Sequence, residues 1–312
     1  MTDVERKQPL VSVGIPLYRS RRFLEILIEN IEAIAYPNVE VIISDRHLFD
    51  DALELLKERF GSDVRFRFLG ARDCLNWVEN FNLLLREARG KYFLWMGHDD
   101  SYPSQYIGEL VSALEEDPEV VLAFGRVEQI SLDGFLPTFP FCPPPILPEE
   151  DWSLGSSLRV LTLWHLWIAF RGVFRREVVE QSDLYIRQTY RNIRADIYWV
   201  FGLSLKGRVC YVPSCYCTKR FYRSSAGAEW RFGIRQSLNA CRVLRSYLDD
   251  FARSRSDALR AQIVVFLWCL VQGFLPAKLA RPLGIVTRQV LLTRRRRRDE
   301  IGVTQGSAPR SS

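Results

Sequence analysis

The stretch ARGKYFLWMGHDD (88–100) holds a helix stop, a buried strand and a pair of adjacent carboxylates in thirteen residues. Gly90 ends the helical pattern of LNWVENFNLLLREA (75–88), and KYFLWM (91–96) is too continuously apolar to have a wet face. A strand of that kind belongs inside a parallel sheet, where ligands gather at the carboxyl ends of strands, so Asp99 and Asp100 fall where chemistry is expected. Upstream, VSVGIPL (11–17) precedes a helix with Leu24, Leu27, Ile28, Ile31 and Ile34 on one face, and VEVIIS (39–44) precedes ALELLKERF (52–60). VRFRFL (64–69) alternates as a strand. Downstream, Pro103 opens a helix through Leu114, and VVLAF (120–124) closes the series. Strand and helix thus alternate over residues 10–125, which predicts an α/β fold with a mostly parallel sheet and helices on both faces.

The whole chain has 312 residues, enough for one large or two modest domains with a sizeable core. Its 47% hydrophobic and 26% charged content excludes a disordered chain and a multi-span membrane protein. The seven cysteines lack paired CxxC spacing and there are only three histidines, so neither structural zinc nor a disulfide framework is expected, Cys210, Cys215 and Cys217 included. MTDVERKQPL has no apolar signal-like core, so a reducing, cytoplasmic setting is the expectation. The net charge of +6 is uneven: residues 251–312 hold 12 Lys and Arg against 3 Asp and Glu, leaving 31 against 34 for the rest. A basic nucleic-acid face on the body is therefore not expected, and the five-arginine run Arg294–Arg298 is weak evidence for RNA.

Six of the fifteen prolines lie in 137–148, which marks a loop or lid boundary. Beyond it follow an aromatic-rich helix near 152–167, the segment FRGVFRREVV (170–179), a helix from Ile197 to Leu205 and a short strand from Val209 to Val212. From Ala228 to Leu292 the pattern is helical. IVVFLWCLV (263–271) is far shorter than the roughly 20 residues of a bilayer span. With Lys278, Arg281 and Arg288 interspersed through the apolar positions that follow, a basic amphipathic helix on an anionic membrane surface fits, and a packed helical bundle with a solvated tail is the rival.

Three polar groups follow strands: Tyr18 with Arg19, Asp45, and the Asp99–Asp100 pair. Adjacent carboxylates suit a hard divalent cation shared with substrate phosphates, and so point to diphosphate binding. Each also has a structural reading: the pair as caps of the helix near Pro103, Asp45 as a turn residue.

VSVGIPLY, VEVIISD and ARGKYFLWMGHDD, in this order and spacing, resemble the nucleotide-sugar half of family-two glycosyltransferases with the GT-A, Rossmann-like fold. The similarity covers residues 10–215. It implies a nucleotide-sugar donor, a divalent metal (Mn2+ or Mg2+) and inversion at the anomeric carbon. Position by position, Pro16, Leu17 and Tyr18 match the strand end lying along the base, and Asp45 the carboxylate that accepts from it. Asp100 matches the metal ligand, with Asp99 beside it on ribose or metal. Asp196 in RNIRADIYWV resembles the general base, although an aspartate at a helix start is also favoured by the helix dipole. Arg220 and Arg223 in TKRFYRSS resemble the basic loop over the donor diphosphate, and Arg72 falls in a region that contacts the nucleotide.

The departures from the pattern are informative. Gly97–His98 stand before the acid pair, Arg46–His47–Leu48–Phe49 replace the usual acidic turn, Ala195 replaces a glutamate, and the Q-x-x-R-W signature of processive synthases is missing. The resulting expectation is an inverting, non-processive transferase using a UDP-linked sugar and a sugar or lipid-linked acceptor, peripheral on the inner membrane face. The alternative is a catalytically inactive scaffold of the same fold. A sugar-1-phosphate nucleotidyltransferase ranks low, because IPLYRSRRF lacks a glycine-rich loop. Domain limits are expected at 1–225 for the transferase unit (10–125 nucleotide-sugar half, 126–225 acceptor half), 226–295 for the helical region and 296–312 for a basic tail. His98 and His165 read as neighbours of the site or core, and Trp152, Trp164 and Trp167 as core or as a sugar-stacking platform.

Overall fold

The computed structural model describes residues 8–45, 49–70, 73–74, 76–134, 152–163, 166–224, 233–251, 259, 261–267 and 269. Seven strands form one sheet: β1 (Val11–Leu17), β2 (Val39–Asp45), β3 (Phe66–Gly70), β4 (Tyr92–Trp95), β5 (Val120–Ser131), β6 (Val173–Arg175) and β7 (Arg208–Phe221), in the order β3-β2-β1-β4-β6-β5-β7. β1 to β4 are mutually parallel, as the alternation requires. All seven residues of β1 and all seven of β2 are buried, which explains why neither alternates. Within β1, Gly14 leaves room for the Phe93 ring: a Cβ there would lie 2.5 Å from Phe93 Cζ.

Helices α1 (Leu24–Glu32), α2 (Ala52–Phe60), α3 (Trp77–Arg86) and α4 (Tyr106–Glu116) connect these strands. Leu24, Leu27 and Ile31 of α1 are buried as the spacing predicts, while Ile28 and Ile34 pack half-buried at the margin. The second half departs from simple alternation. After α5 (Leu154–Leu163) and α6 (Leu166–Ala169), the three-residue β6 enters antiparallel to both β4 and β5, with Phe174 opposite Phe93 and Leu122.

The expected short strands near 120–124 and 209–212 are in fact 12 and 14 residues long. Their distal parts run on as a parallel ribbon to Ser131 opposite Phe221, with a break in register after Gly125. A Cβ on Gly125 would lie 2.4 Å from the Cys215 carbonyl oxygen, so the break needs glycine. The ribbon has exposed polar positions such as Arg126 and Glu128, which disguises it in the sequence as loop. α7 (Arg176–Gln181) and α8 (Ala195–Ser204) follow; α8 is buried on nearly every side, with Tyr247 of α9 (Ile234–Asp249) over Gly202.

Arg175 locks β6 into this frame. It is buried, and its guanidinium donates to the carbonyls of Val120 at 2.7 Å and Asp117 at 3.2 Å, to the Tyr92 hydroxyl at 3.1 Å, and to the Leu114 carbonyl. Two of these carbonyls end α4, where a cation also meets the negative end of the helix dipole. Arg175→Met leaves those acceptors unpaired and is expected to lower the unfolding free energy by about 3 kcal/mol in a denaturant titration.

Candidate active site

The carboxyl edge of β1, β2 and β4 brings three groups together. Leu17 pairs in register with Asp45, so the end of β1 lies beside that buried carboxylate. His98 Nδ1 lies 3.3 Å from the Pro16 carbonyl oxygen and ties the loop after β4 to the same strand end. At the rim the Tyr18 ring meets Phe49 edge-on at 5.2 Å, and the Arg19 guanidinium lies 5.4 Å and 5.3 Å from the two ring centres. Arg19 holds a left-handed backbone at φ 50°, unusual for a non-glycine residue.

The acid pair sits in a tightly specified turn. Asn30 of α1 grips it from both sides: its amide nitrogen donates to the Asp100 carbonyl at 2.8 Å, and its amide oxygen accepts from the Tyr102 N–H at 3.0 Å. Ser101 exchanges two backbone hydrogen bonds with Thr218 of β7, at 2.9 Å and 2.8 Å. Both carboxylates fold over Gly97, whose missing side chain leaves Asp100 Oδ2 only 3.0 Å from where a Cβ would be.

Cations surround these carboxylates. Arg171 Nε donates to Asp100 Oδ2 at 2.8 Å, and Lys219 Nζ donates to Asp100 Oδ1 at 3.2 Å. The Tyr222 hydroxyl donates to Asp99 Oδ2 at 2.9 Å, with Lys219 Nζ 3.9 Å from the same oxygen. Arg220 donates to the Asp99 carbonyl at 3.2 Å and to Ser101 Oγ at 2.8 Å. Burial pushes the Asp99 carboxyl up, but Lys219, His98, the Tyr222 hydroxyl and Arg171 outweigh it and hold the group well below the usual carboxylate range. Arg171 is itself built in: a second nitrogen donates to the Trp167 carbonyl at 2.9 Å, and its own carbonyl accepts from the Tyr106 hydroxyl at 2.9 Å.

This donor set does not fit a resident divalent cation, contrary to the expectation for Asp100 and Asp99. Such an ion takes one or two carboxylates and completes its shell with water and substrate phosphates, so it needs carboxylate oxygens free to ligate it. Here both Asp100 oxygens already accept from cationic side chains. Among the described residues no group of three or more His, Cys, Asp or Glu side chains is placed to hold a metal.

Asp196 lies in the first turn of α8. Its Oδ1 is sealed from solvent without a hydrogen-bond partner among the described residues. Burial raises the carboxyl, with backbone N–H groups and the nearby Arg171 and Arg194 charges pulling the other way. The segment before it is strained: Arg191, Asn192 and Arg194 have φ of 58°, 53° and 59°. Thr189 and Asn192 brace it through a reciprocal cap, and Thr189 Oγ1 donates to the Ile193 carbonyl at 2.9 Å.

Arg220 stands on the end of β7 rather than in the loop its sequence suggested. Arg223 is exposed beyond that strand, where its backbone N–H donates to Asp133 Oδ2 at 2.8 Å. Arg72, Trp164 and His165 lie outside the described residues. Trp152 donates to the Ser204 carbonyl at 2.7 Å and so anchors α8, whereas Trp167 carries the Arg171 guanidinium 5.5 Å from its ring centre. Cys215 and Cys217 are buried in β7, where desolvation pushes the Cys217 thiol up to about 12. Sequence reasoning missed Arg171, Lys219, Tyr222 and Asn30. Lys219 adjoins Arg220 in a quoted motif, but nothing local ties Arg171 to a residue 71 positions earlier.

Comparison with known proteins identifies the family and the fold. The family profile described as Glycosyl transferase family 2 matches residues 12–179. The chain is similar to an uncharacterized glycosyltransferase of Haemophilus influenzae, 29% identical over 156 residues, covering 50% of this chain and 43% of the relative. An uncharacterized glycosyltransferase of Rickettsia prowazekii is 27% identical over 215 residues, 58% of this chain and 66% of that one. The chain therefore spans less than two thirds of either relative. In fold it resembles Staphylococcus aureus TarS 1–349 solved with UDP-GlcNAc (TM-score 0.59, 14% identity, 83% of this chain and 72% of that one). It also resembles the mannosyltransferase PcManGT of Pyrobaculum calidifontis solved with GDP-Man and Mn2+ (TM-score 0.53, 16% identity, 92% and 81%). With more than half of its length inside the matched profile, and a mixed sheet whose parallel half carries the acid pair at its carboxyl edge, this chain belongs to glycosyl transferase family 2.

Proposed function

We propose that the protein transfers a sugar from a nucleotide-diphosphate donor, read as UDP-linked, to an acceptor hydroxyl with inversion, one sugar at a time. The observation that carries this reading is the convergence of Arg171, Lys219 and Arg220 on the Asp99–Asp100 turn after β4, at the same carboxyl edge of the sheet as Asp45. Pro16, Leu17, Tyr18 and Asp45 form the base side of the donor site in this reading. The cations face the diphosphate, whose departing oxygen gains negative charge as the glycosidic bond breaks.

An acceptor hydroxyl is a weak nucleophile at neutral pH, so a base must take its proton. Asp196 suits the role: a carboxyl raised by burial is a stronger base than an exposed one, and its Oδ1 is unengaged among the described residues. No covalent nucleophile is needed, because a single displacement inverts the anomeric carbon. No step of this reaction runs through a metal on Asp100, whose oxygens are engaged by Arg171 and Lys219.

The helical residues after α9 support the membrane reading. Ala261, Val265 and Cys269 are buried, yet Leu259, Ile263, Phe266 and Leu267 on the other face are each about half exposed, with Ile234 and Leu238 of α9. No helix among the described residues is long and apolar enough to cross a membrane. A second apolar face on a basic C-terminal region suits an anionic interface, placing the enzyme near a lipid-linked or envelope acceptor.

Asp196→Asn is expected to lower kcat for sugar release from a panel of UDP-sugars by about 10²–10⁴-fold. The base must be ionised to act, so wild-type turnover falls as pH drops through the raised pKa. The acid limb should therefore lie above the ordinary aspartate value of about 4 and vanish in Asp196→Asn. Full turnover in Asp196→Asn would transfer the proton-accepting role to another group. In vesicle co-sedimentation, the full chain should pellet with anionic and not zwitterionic vesicles, and Phe266→Glu with Leu267→Glu should release it to the supernatant.

A further inference from the structure

The contacts that displace a metal from the acid pair point to what replaces it. Asp99 and Asp100 bring two negative charges to the turn after β4, and two positive charges meet them: Arg171 lies 2.8 Å from Asp100 Oδ2, and Lys219 lies 3.2 Å from Asp100 Oδ1 and 3.9 Å from Asp99 Oδ2. The Asp100 side chain is 2% exposed, Arg171 13% and Lys219 20%, so this cluster is part of the built interior. Arg220 adds a second guanidinium at the Asp99 carbonyl, so three cations stand against the two carboxylates of the pair. A divalent ion bound to the same carboxylate oxygens would stand next to an ammonium and a guanidinium. Like charges at that separation repel strongly in a site screened from water.

Both cations are held from outside the cluster. Arg171 is fixed through the Trp167 carbonyl and the Tyr106 hydroxyl, and Lys219 through the Ser101–Thr218 bridge on the residue before it. An ammonium has three N–H donors, and the Asp100 contact uses one. The others remain for phosphate oxygens.

We propose that Arg171 and Lys219, with Arg220, take the place of a divalent cation: they bind the diphosphate of the donor without metal, and Asp100 positions them instead of ligating an ion. This deepens the transferase reading and rests on it. In the transfer, the bond from the anomeric carbon to the diphosphate oxygen breaks with its electron pair passing to that oxygen. The acceptor oxygen bonds to the same carbon, and its proton goes to Asp196. The charge gained by the nucleoside diphosphate is held by the three cations.

Calorimetric titration of UDP into the full chain, with EDTA and then with Mn2+, tests this, and GDP and dTDP cover another base. The expected result is equal affinity, within about twofold, in both conditions. Lys219→Met should weaken binding at least tenfold in both, with Lys219→Arg restoring most of it. Asp100→Asn gives opposite signs for the two roles: it frees the cations and keeps or raises UDP affinity if Asp100 positions them, and it abolishes metal-dependent binding if Asp100 is a ligand. Binding seen only with Mn2+ would overturn the inference and leave the transferase reading standing. No binding of any of the three nucleotides in either condition would overturn the transferase reading itself. The wild-type comparison needs no variant, so a substitution that impairs folding does not remove the test.

Discussion

The buried pair between Arg171 and Asp100 is the contact on which the rest of the site depends. Removing either partner strands a charge in the interior, which in proteins generally destabilises by about 3–5 kcal/mol. The pair also joins the two halves of the sheet. Asp100 follows the last parallel strand of the first half, and Arg171 precedes the short antiparallel β6 that links it to β5. The geometry of the carboxyl edge and the topology of the sheet are thus set together: β6 cannot shift register without withdrawing the guanidinium from the carboxylate.

The fold was legible in the sequence where burial dictates residue type over a short span. Val11–Leu17 and Val39–Asp45 are buried at every position, so apolar runs mark them without ambiguity. The ribbon of β5 and β7 was not legible, because its distal part is a two-stranded, partly solvated structure in which Arg126, Glu128 and Lys219 are ordinary strand residues. Local pattern distinguishes a strand from a loop only when one face is dry. β6 is three residues long, below the length at which periodicity carries information.

The site divides along the same line. Asp45 and the Asp99–Asp100 pair stand out in the sequence because they end or closely follow strand-like runs, a position that sequence alone reveals. Lys219 and Arg171 act on Asp100 from 119 and 71 residues away, through the bridge at Ser101 and the entry of β6. Their roles follow from tertiary pairing that no local motif encodes. Asn30 is subtler: it occupies a buried position of an amphipathic helix where an apolar side chain would satisfy the period, and only the turn it grips explains the amide.

The order of these partners along the chain has a consequence for synthesis. When a ribosome has delivered the strands through β5, the acid pair is already made, but neither of its neutralising partners has been translated. Arg171 arrives next, and Lys219 only with β7, the last strand of the sheet. The parallel half therefore carries the acid pair without its full set of cationic partners until more than two thirds of the 312 residues are made. A fragment ending at residue 179 would keep Arg171 but lack β7, Lys219 and the bridge to Ser101. The unit that recurs across the family by sequence is smaller than the unit that can complete this site.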